Sequence, residues 1–313
     1  MHSVLLSTDW LLNRRTRSRP RRDDTSPVSE FSFIIPTYNE ERNIDRLLRS
    51  IRAQSSSAYS IVVVDQSSTD RTVDIAKSYG CAVIRAQNAG FYTPPGRSRN
   101  LGVAATVSPI LVHLDADMEL GSPEFLNRLK ALMGSGYAAA NIREVDVASG
   151  FWGRCKALER SCYMGSPLES ARVVTRELFI LVGGYDESIS SGEDFFITSL
   201  YRRHTAIAND DEVWVRHHIG RPSLRSLLRK KFSYGRTART YLRKAQSAGA
   251  GSAATLTRSA MLALVTHWRL LGSQPLEYLC IFPLRGLELV AVLLGMARGS
   301  QSARSTPGSL GRG

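Results

Sequence analysis

Two aspartates, Asp115 and Asp117, follow the apolar run Pro109 to Leu114, a pattern that is either a solvated turn after a strand or, at a strand end, a place for chemistry. Residues two apart in an extended segment share a face, so both carboxylates can approach one divalent cation, Mn2+ or Mg2+, and the phosphates it holds. Asp65 ends a second apolar run and leads into the polar turn QSSTD, and Pro36-Thr37-Tyr38-Asn39-Glu40 ends a third. Open α/β sheets bind ligands beyond the carboxyl ends of their strands. Three polar or acidic strand ends therefore mark a candidate crevice along one sheet edge. Farther along, Glu193 and Asp194 open a helical segment, where they can cap it through the macrodipole or, as a base, remove a proton from an attacking hydroxyl. His217 and His218 follow the strand-like Val213-Trp214-Val215, and one of them could join Asp117 on a metal.

The elements that must position these residues alternate from Glu30 onward, which predicts an α/β domain around a mostly parallel sheet. Strands are expected at Phe31 to Pro36, Tyr59 to Asp65, Cys81 to Ala86, Pro109 to Leu114 and near Tyr137 to Asp146. Helices are expected at Glu41 to Gln54, where Ile44, Leu47, Leu48 and Ile51 fall at helical spacing, at Thr69 to Tyr79, around Leu101 to Ala105, and around Pro123 to Met133. A Gly/Pro-rich loop joins the third strand to the third helix. From Phe151 the alternation becomes irregular, and Trp152, Tyr163 and Arg172 are candidates for contact with a second substrate.

With 313 residues and 43% hydrophobic content, the chain can bury one large core, which excludes wholesale disorder. Cys81, Cys155, Cys162 and Cys280 form no CxxC pair, so neither structural zinc nor a disulfide framework is indicated. The net charge of +13 is unevenly placed: residues 23–212 hold nineteen basic and twenty-five acidic residues, whereas 213–276 hold twelve basic and none acidic. A mildly acidic body with basic appendages suits an anionic membrane surface or a phosphate-bearing substrate. Carboxylates at successive strand ends would repel nucleic acid, which argues against that partner.

Taken in order, FSFIIPTYNEERNIDRLLRSI, IVVVDQSSTDRT, GRSRNLGVAAT, ILVHLDADMEL, LVGGYDESISSGEDF and HHIGRPSLRSLLRKKFSYGR resemble the family 2 glycosyltransferases. The resemblance implies the GT-A fold, a Rossmann-like sheet flanked by helices, and transfer of a sugar from a UDP- or GDP-sugar donor to an acceptor hydroxyl. It implies nucleotide contacts at Pro36, Tyr38, Glu40 and Asp65, an approach to the donor at Arg97, Arg99 and Asn100, and a ribose or sugar contact at Asp115. Asp117 would bind the cation with His217 or His218, Asp194 would be the base of an inverting displacement, and Glu193 would orient the acceptor or its loop. Strand alternation favours His217 as the second metal ligand, while counting back from the basic helix favours His218. Gln66 stands where relatives often carry a second acidic residue, so no role is transferred there. Two rival readings are a retaining enzyme of the glucosyl-phosphoglycerate synthase type and a basic non-enzymatic protein that binds an anionic surface.

The expected organisation is a basic disordered tail at 1–29 and a catalytic domain at 30–220, with its donor half at 30–120 and its acceptor half at 121–220. A basic, amphipathic helical region at 221–300 and a disordered tail at 301–313 complete it. The opening residues make a poor signal peptide, and Val4 to Leu12 could form a short surface helix. Between Ser259 and Ala297, charges and the prolines Pro275 and Pro283 predict two or three short amphipathic helices and no spanning one. Segment Ser223 to Lys244, with Leu224, Leu227, Leu228 and Phe232 beside many Arg and Lys, suits anionic lipid or a polyprenyl-phosphate acceptor, or a solvated basic face packed on the catalytic domain. The expected location is cytoplasmic, peripheral on the inner face of the cell membrane.

Overall fold

The computed structural model describes residues 29–86, 94–163, 169–247 and 261–302. The surface helix expected at Val4 to Leu12, both tails beyond these bounds and most of the Gly/Pro-rich loop lie outside the described residues.

Strands β1 (Phe31–Thr37), β2 (Tyr59–Asp65), β3 (Ala82–Arg85) and β4 (Ile110–His113) form the parallel half of a seven-stranded sheet. Among the further strands β5 (Met118–Leu120), β6 (Ala139–Asn141), β7 (Arg143–Ala148), β8 (Ala171–Thr175), β9 (Ile207–Ala208) and β10 (Trp214–Gly220), three complete that sheet in the order β3-β2-β1-β4-β8-β6-β9. β8 runs antiparallel to both its neighbours. Because the chain leaves β1 toward β2 and β3 and then returns to β4 on the other side, the strand order reverses between β1 and β4. A crevice opens beyond the carboxyl ends at such a reversal. Register sharpens it: Thr37 lies opposite Asp65 and Ile34 opposite His113, so the turns after β1, β2 and β4 share one edge.

Alternation sorts the strands' side chains into two cores. Phe33, Ile35, Ile61, Val63 and Val112 pack on helices α1 (Ile44–Arg52), α2 (Thr72–Ser78) and, next in chain order but on the opposite face, α3 (Pro95–Ala104) meets Ile34. Helix α4 (Phe125–Gly134) joins the first core; α6 (Arg176–Leu181) and α7 (Glu193–Tyr201) join the second, while α5 (Gly150–Ser161) lies outside both. Gly102 explains the close seat of α3: a Cβ there would meet Ile34 Cγ2 at 2.5 Å and Val64 Cγ2 at 3.2 Å.

Two sequence expectations need correction. The strand expected near Tyr137 to Asp146 is two strands in different sheets: β6 ends at Asn141, and β7 joins a second, three-stranded sheet in the order β5-β10-β7. Buried Ile142 fills the first core at the crossing, and Arg143 N–H donates to Val213 C=O at 3.0 Å. The C-terminal region breaks before Pro275, as expected, but not at Pro283. After α8 (Leu224–Ser247) and the four-residue α9 (Leu270–Ser273), α10 runs unbroken from Pro275 to Ser302. Pro275 occupies the first helical position, where no N–H is needed, and Pro283 faces outward. Packing holds the helix through it: Tyr278, Ile281, Leu284, Glu288, Ala291 and Gly295 form a buried stripe against the domain and α8. By length and composition, Pro275–Gly299 is long and apolar enough to cross a membrane.

Gly102→Ala should lower stability by about 1–3 kcal/mol through overpacking, although alanine favours helix. Gly134→Ala, where a Cβ would meet nothing within 4 Å, should be neutral or stabilising. Urea unfolding of the two variants checks this contrast.

Candidate active site

The three strand-end turns are tied to one another before any ligand is considered. Buried Asp65 accepts from the Thr37 hydroxyl at 3.4 Å and from Ser68 N–H at 3.0 Å. Asn39 and Ser67 both have positive φ, 55° and 67°, a conformation that asparagine tolerates and serine adopts less readily. Asn39 and the second turn hold each other: Asn39 N–H donates to Ser68 Oγ, and Asn39 Oδ1 accepts from Thr69 N–H, each at 2.9 Å. Tyr38 is exposed, Pro36 half-buried, and Glu40 accepts from the Asn43 amide at 2.8 Å. Burial raises the Glu40 pKa against that hydrogen bond, and Asp117 and Asp115 raise it further.

Arg99, on α3 and only 2% exposed, joins the strand edge to α7. Its Nη2 contacts Asp115 Oδ1 at 2.8 Å, and its Nη1 contacts Glu193 Oε1 at 3.0 Å and Asp194 Oδ1 at 3.2 Å. The guanidinium also stands over the Tyr185 ring, 5.4 Å from its centroid. Arg172 on β8 takes the other oxygen of Asp115 at 3.1 Å and pairs with Glu144. Burial alone would raise the Asp115 pKa, but Arg172 and Arg99 outweigh it and hold the carboxyl well below the usual range. Burial and the neighbouring Asp194 raise the Glu193 pKa, against the opposing pull of Arg99.

A second chain of groups leads from Asp117. His217 Nε2 lies 3.3 Å from Asp117 Oδ2, while His217 Nδ1 lies 3.0 Å from Asp146 Oδ1 and 3.8 Å from Glu144 Oε2. Burial alone would lower the His217 pKa; Asp117 and Asp146 outweigh it and bring it to about 10. Arg160 braces the two β7 carboxylates, at 2.9 Å from Glu144 and 3.3 Å from Asp146. His218 points the other way, with Nε2 2.8 Å from Glu119. The register explains this: His217 pairs with Met118 on β5 and with Asp146 on β7, and the next residue must face the opposite side.

The edge thus brings together Glu40, Asp115, Asp117, Glu193, Asp194 and His217. Asn100 is engaged elsewhere, holding both backbone groups of Tyr185 at 2.9 Å, and Arg97 is half exposed and 3.9 Å from Glu187. Arg172, read from sequence as a candidate for second-substrate contact, is bound to Asp115. Tyr163 hydrogen-bonds Glu159 and Arg285. Glu144, Asp146 and Arg160 were not singled out from the sequence. The alternation in REVDVA puts both acids on one face, but what they face is set by β10, some seventy residues away.

Glu144, Asp146 and His217 form a group whose donor atoms lie within 4.8 Å of one another. Their ion pairs with Arg160 and Arg172 occupy the two carboxylates, so the oxygen and nitrogen left for a cation are those of Asp117 and of His217 Nε2. That oxygen-and-imidazole pair could hold a divalent cation.

Residues 32–185 match the family described as "Glycosyl transferase family 2". The 4,4'-diaponeurosporenoate glycosyltransferase of Staphylococcus haemolyticus is 33% identical over 129 residues, 40% of this chain and 34% of that protein. The undecaprenyl-phosphate 4-deoxy-4-formamido-L-arabinose transferase of Pseudomonas paraeruginosa is 32% identical over 126 residues, 36% of this chain and 34% of that protein. The matched segments thus span about a third of these curated relatives' length. Among solved structures, the mannosyltransferase PcManGT from Pyrobaculum calidifontis, in complex with GDP-Man and Mn2+, superimposes with a TM-score of 0.55 at 17% identity, covering 94% of this chain and 93% of that one. This likeness shows the fold, which is the GT-A type expected from the sequence.

Replacing Arg99 with Met should leave Asp115, Glu193 and Asp194 without their shared counter-charge. The expected loss is about 3–5 kcal/mol in chemical unfolding, far more than Arg97→Met at the exposed neighbouring position.

Proposed function

We propose, from the match of residues 32–185 to glycosyltransferase family 2, that the chain transfers a sugar from a UDP- or GDP-sugar to an acceptor hydroxyl, with a divalent cation and with inversion. One observation carries this reading: Asp117 and His217 face each other at 3.3 Å beside a carboxylate pair that Arg99 holds in reach of the same crevice. Pro36, Tyr38, Glu40 and Asp65 line the nucleotide end, and Asp115 meets the ribose or sugar.

Asp117 and His217 Nε2 would hold Mn2+ or Mg2+. When bound, the cation supplies Lewis-acid stabilisation of the leaving diphosphate. Asp146 accepts from His217 Nδ1–H, so that once the Nε2 proton leaves, the Nε2 lone pair would face a cation beside Asp117, the usual arrangement behind a histidine ligand. Of the acidic pair, Asp194 is the more exposed, 22% against 10% for the side chain of Glu193. Asp194 takes the proton of the acceptor hydroxyl as its oxygen attacks the anomeric carbon. The bond from that carbon to the diphosphate breaks, and its electron pair leaves with the nucleoside diphosphate. Glu193, held by Arg99, orients the first turn of α7, which carries Asp194.

Two relatives are named for 4,4'-diaponeurosporenoate and for undecaprenyl phosphate, and α8 exposes Arg225, Arg229, Lys230, Arg236, Arg239 and Arg243. These support a lipid-linked or cell-envelope acceptor and a peripheral place on the inner face of the cell membrane. Lys231 contributes less than its sequence position suggests, because it lies 3.8 Å from buried Glu288 and burial lowers its pKa.

Calorimetric titration with UDP-, GDP- and dTDP-sugars, with and without Mn2+, tests the reading. One nucleotide class should bind in a Mn2+-dependent way, and Asp117→Ala and His217→Ala should each weaken Mn2+ binding at least tenfold. Because His217 keeps its proton up to about pH 10 without metal, binding should release a proton and weaken about tenfold per unit as pH falls from 9 to 7. A folded protein that binds no nucleotide sugar, or a product that retains the donor's anomeric configuration, would contradict the corresponding part.

A further inference from the structure

Helix α10 is apolar on two faces, and only one of them is covered. Its charges before Arg298 all turn toward the protein: Glu277 to Arg154 at 2.8 Å, Glu288 to Lys156 at 3.1 Å, and Arg285 to Glu159. The opposite face exposes Leu276, Leu279, Leu287, Val290, Leu293 and Leu294, each at least 45% accessible. Such a continuous apolar strip on a folded surface marks an interaction site.

α8 lies directly against α10. A Cβ on Gly235 would meet Val292 C=O, and one on Gly295 would meet Phe232 C=O, both at 2.1 Å, so the backbones touch at these glycines. Beside the crossing runs an open groove of about 740 Å³, walled by Leu224, Leu228, Phe232, Leu287, Val290 and Leu294. Arg225 and Arg229, one helical turn apart, stand on its rim, and among the described residues no carboxylate lines it. An apolar trough with two cations at its edge is complementary to a hydrocarbon chain that ends in a phosphate.

We propose that this groove is a phospholipid site and that α10 lies in the plane of the membrane: an acyl chain of the bilayer fills the trough, and its headgroup phosphate meets Arg225 and Arg229. The inference deepens the peripheral-membrane reading and rests on it. The in-plane orientation follows from the charges. A spanning α10 would carry Arg285 and Glu288, with Lys156, Glu159 and Lys231 attached, into hydrocarbon, where each charge costs several kcal/mol. A helix lying flat sinks only its apolar face, about 5–10 Å deep, and leaves that cluster on the protein side.

Two measurements on the full chain test the site. The first is flotation with vesicles of phosphatidylcholine alone and of phosphatidylcholine with phosphatidylglycerol. Wild type should float with the anionic vesicles. Val290→Asp/Leu294→Asp should bind at least tenfold more weakly with an unchanged melting curve, and Arg225→Gln/Arg229→Gln should lose the anionic preference. The second places a tryptophan singly at Leu279, Leu287 or Leu294 and reads quenching by lipids brominated at different depths. All three positions should report the same shallow depth. A depth that changes steadily along the helix would mean a spanning segment and overturn the proposal. Vesicle binding without quenching would sink the proposal and leave the peripheral reading standing; no vesicle binding at all would sink both. Dimerisation abolished by Leu294→Asp, without quenching, would assign the face to a second copy.

Discussion

Five carboxylates of this protein converge on one sheet edge, and like charges in a low-dielectric crevice cannot be held together without counter-charge. Arg99 and Arg172 supply it from opposite sides of Asp115. Arg99 reaches the edge because Gly102 lets α3 settle on β1 and β2, and it extends past Asp115 to the first turn of α7. One guanidinium thereby fixes the distance between Asp115, just beyond β4, and Glu193 and Asp194 in the first turn of α7, more than seventy residues later in the chain.

The second consequence is the charge that remains. Arg172 and Arg160 engage Glu144 and Asp146, and Asp146 in turn fixes His217, but among the described residues no arginine or lysine is paired with Asp117. In the metal-free protein a proton on His217 answers Asp117. In the proposed reaction a divalent cation held by Asp117 and His217 would take over that balance, displacing the imidazole proton. The second sheet brings β10 and its His217 to that point.

Much of the edge could be read from residue types. The apolar runs ending at Pro36, Asp65 and Leu114 are local signals, and they recur as β1, β2 and β4 in parallel register. The side chains that brace the site were not legible in the same way, because their meaning comes from partners distant in sequence. Glu144 and Asp146 look like an alternating exposed strand until β10 is placed beside them. Arg99 and Asn100 are adjacent in sequence, yet one joins the carboxylates and the other clamps the Tyr185 backbone, a division set by helix phase and by the turn packed against it. Pro283 misled for a related reason: local propensity opposes a helix there, and the stripe from Tyr278 to Gly295, packed on α8 and the domain, overrides it.

The account turns on where the cation sits. The most direct measurement is anomalous scattering at the manganese edge from crystals of the protein grown with Mn2+ and a nucleoside diphosphate. The account predicts one strong peak in contact with Asp117 and His217 Nε2, with Asp146 still on Nδ1 and Arg99 still joining Asp115 to Glu193 and Asp194. A peak centred instead on Glu144 and Asp146, displacing Arg160 and Arg172, or a nucleotide bound at the edge with no metal peak, would contradict it.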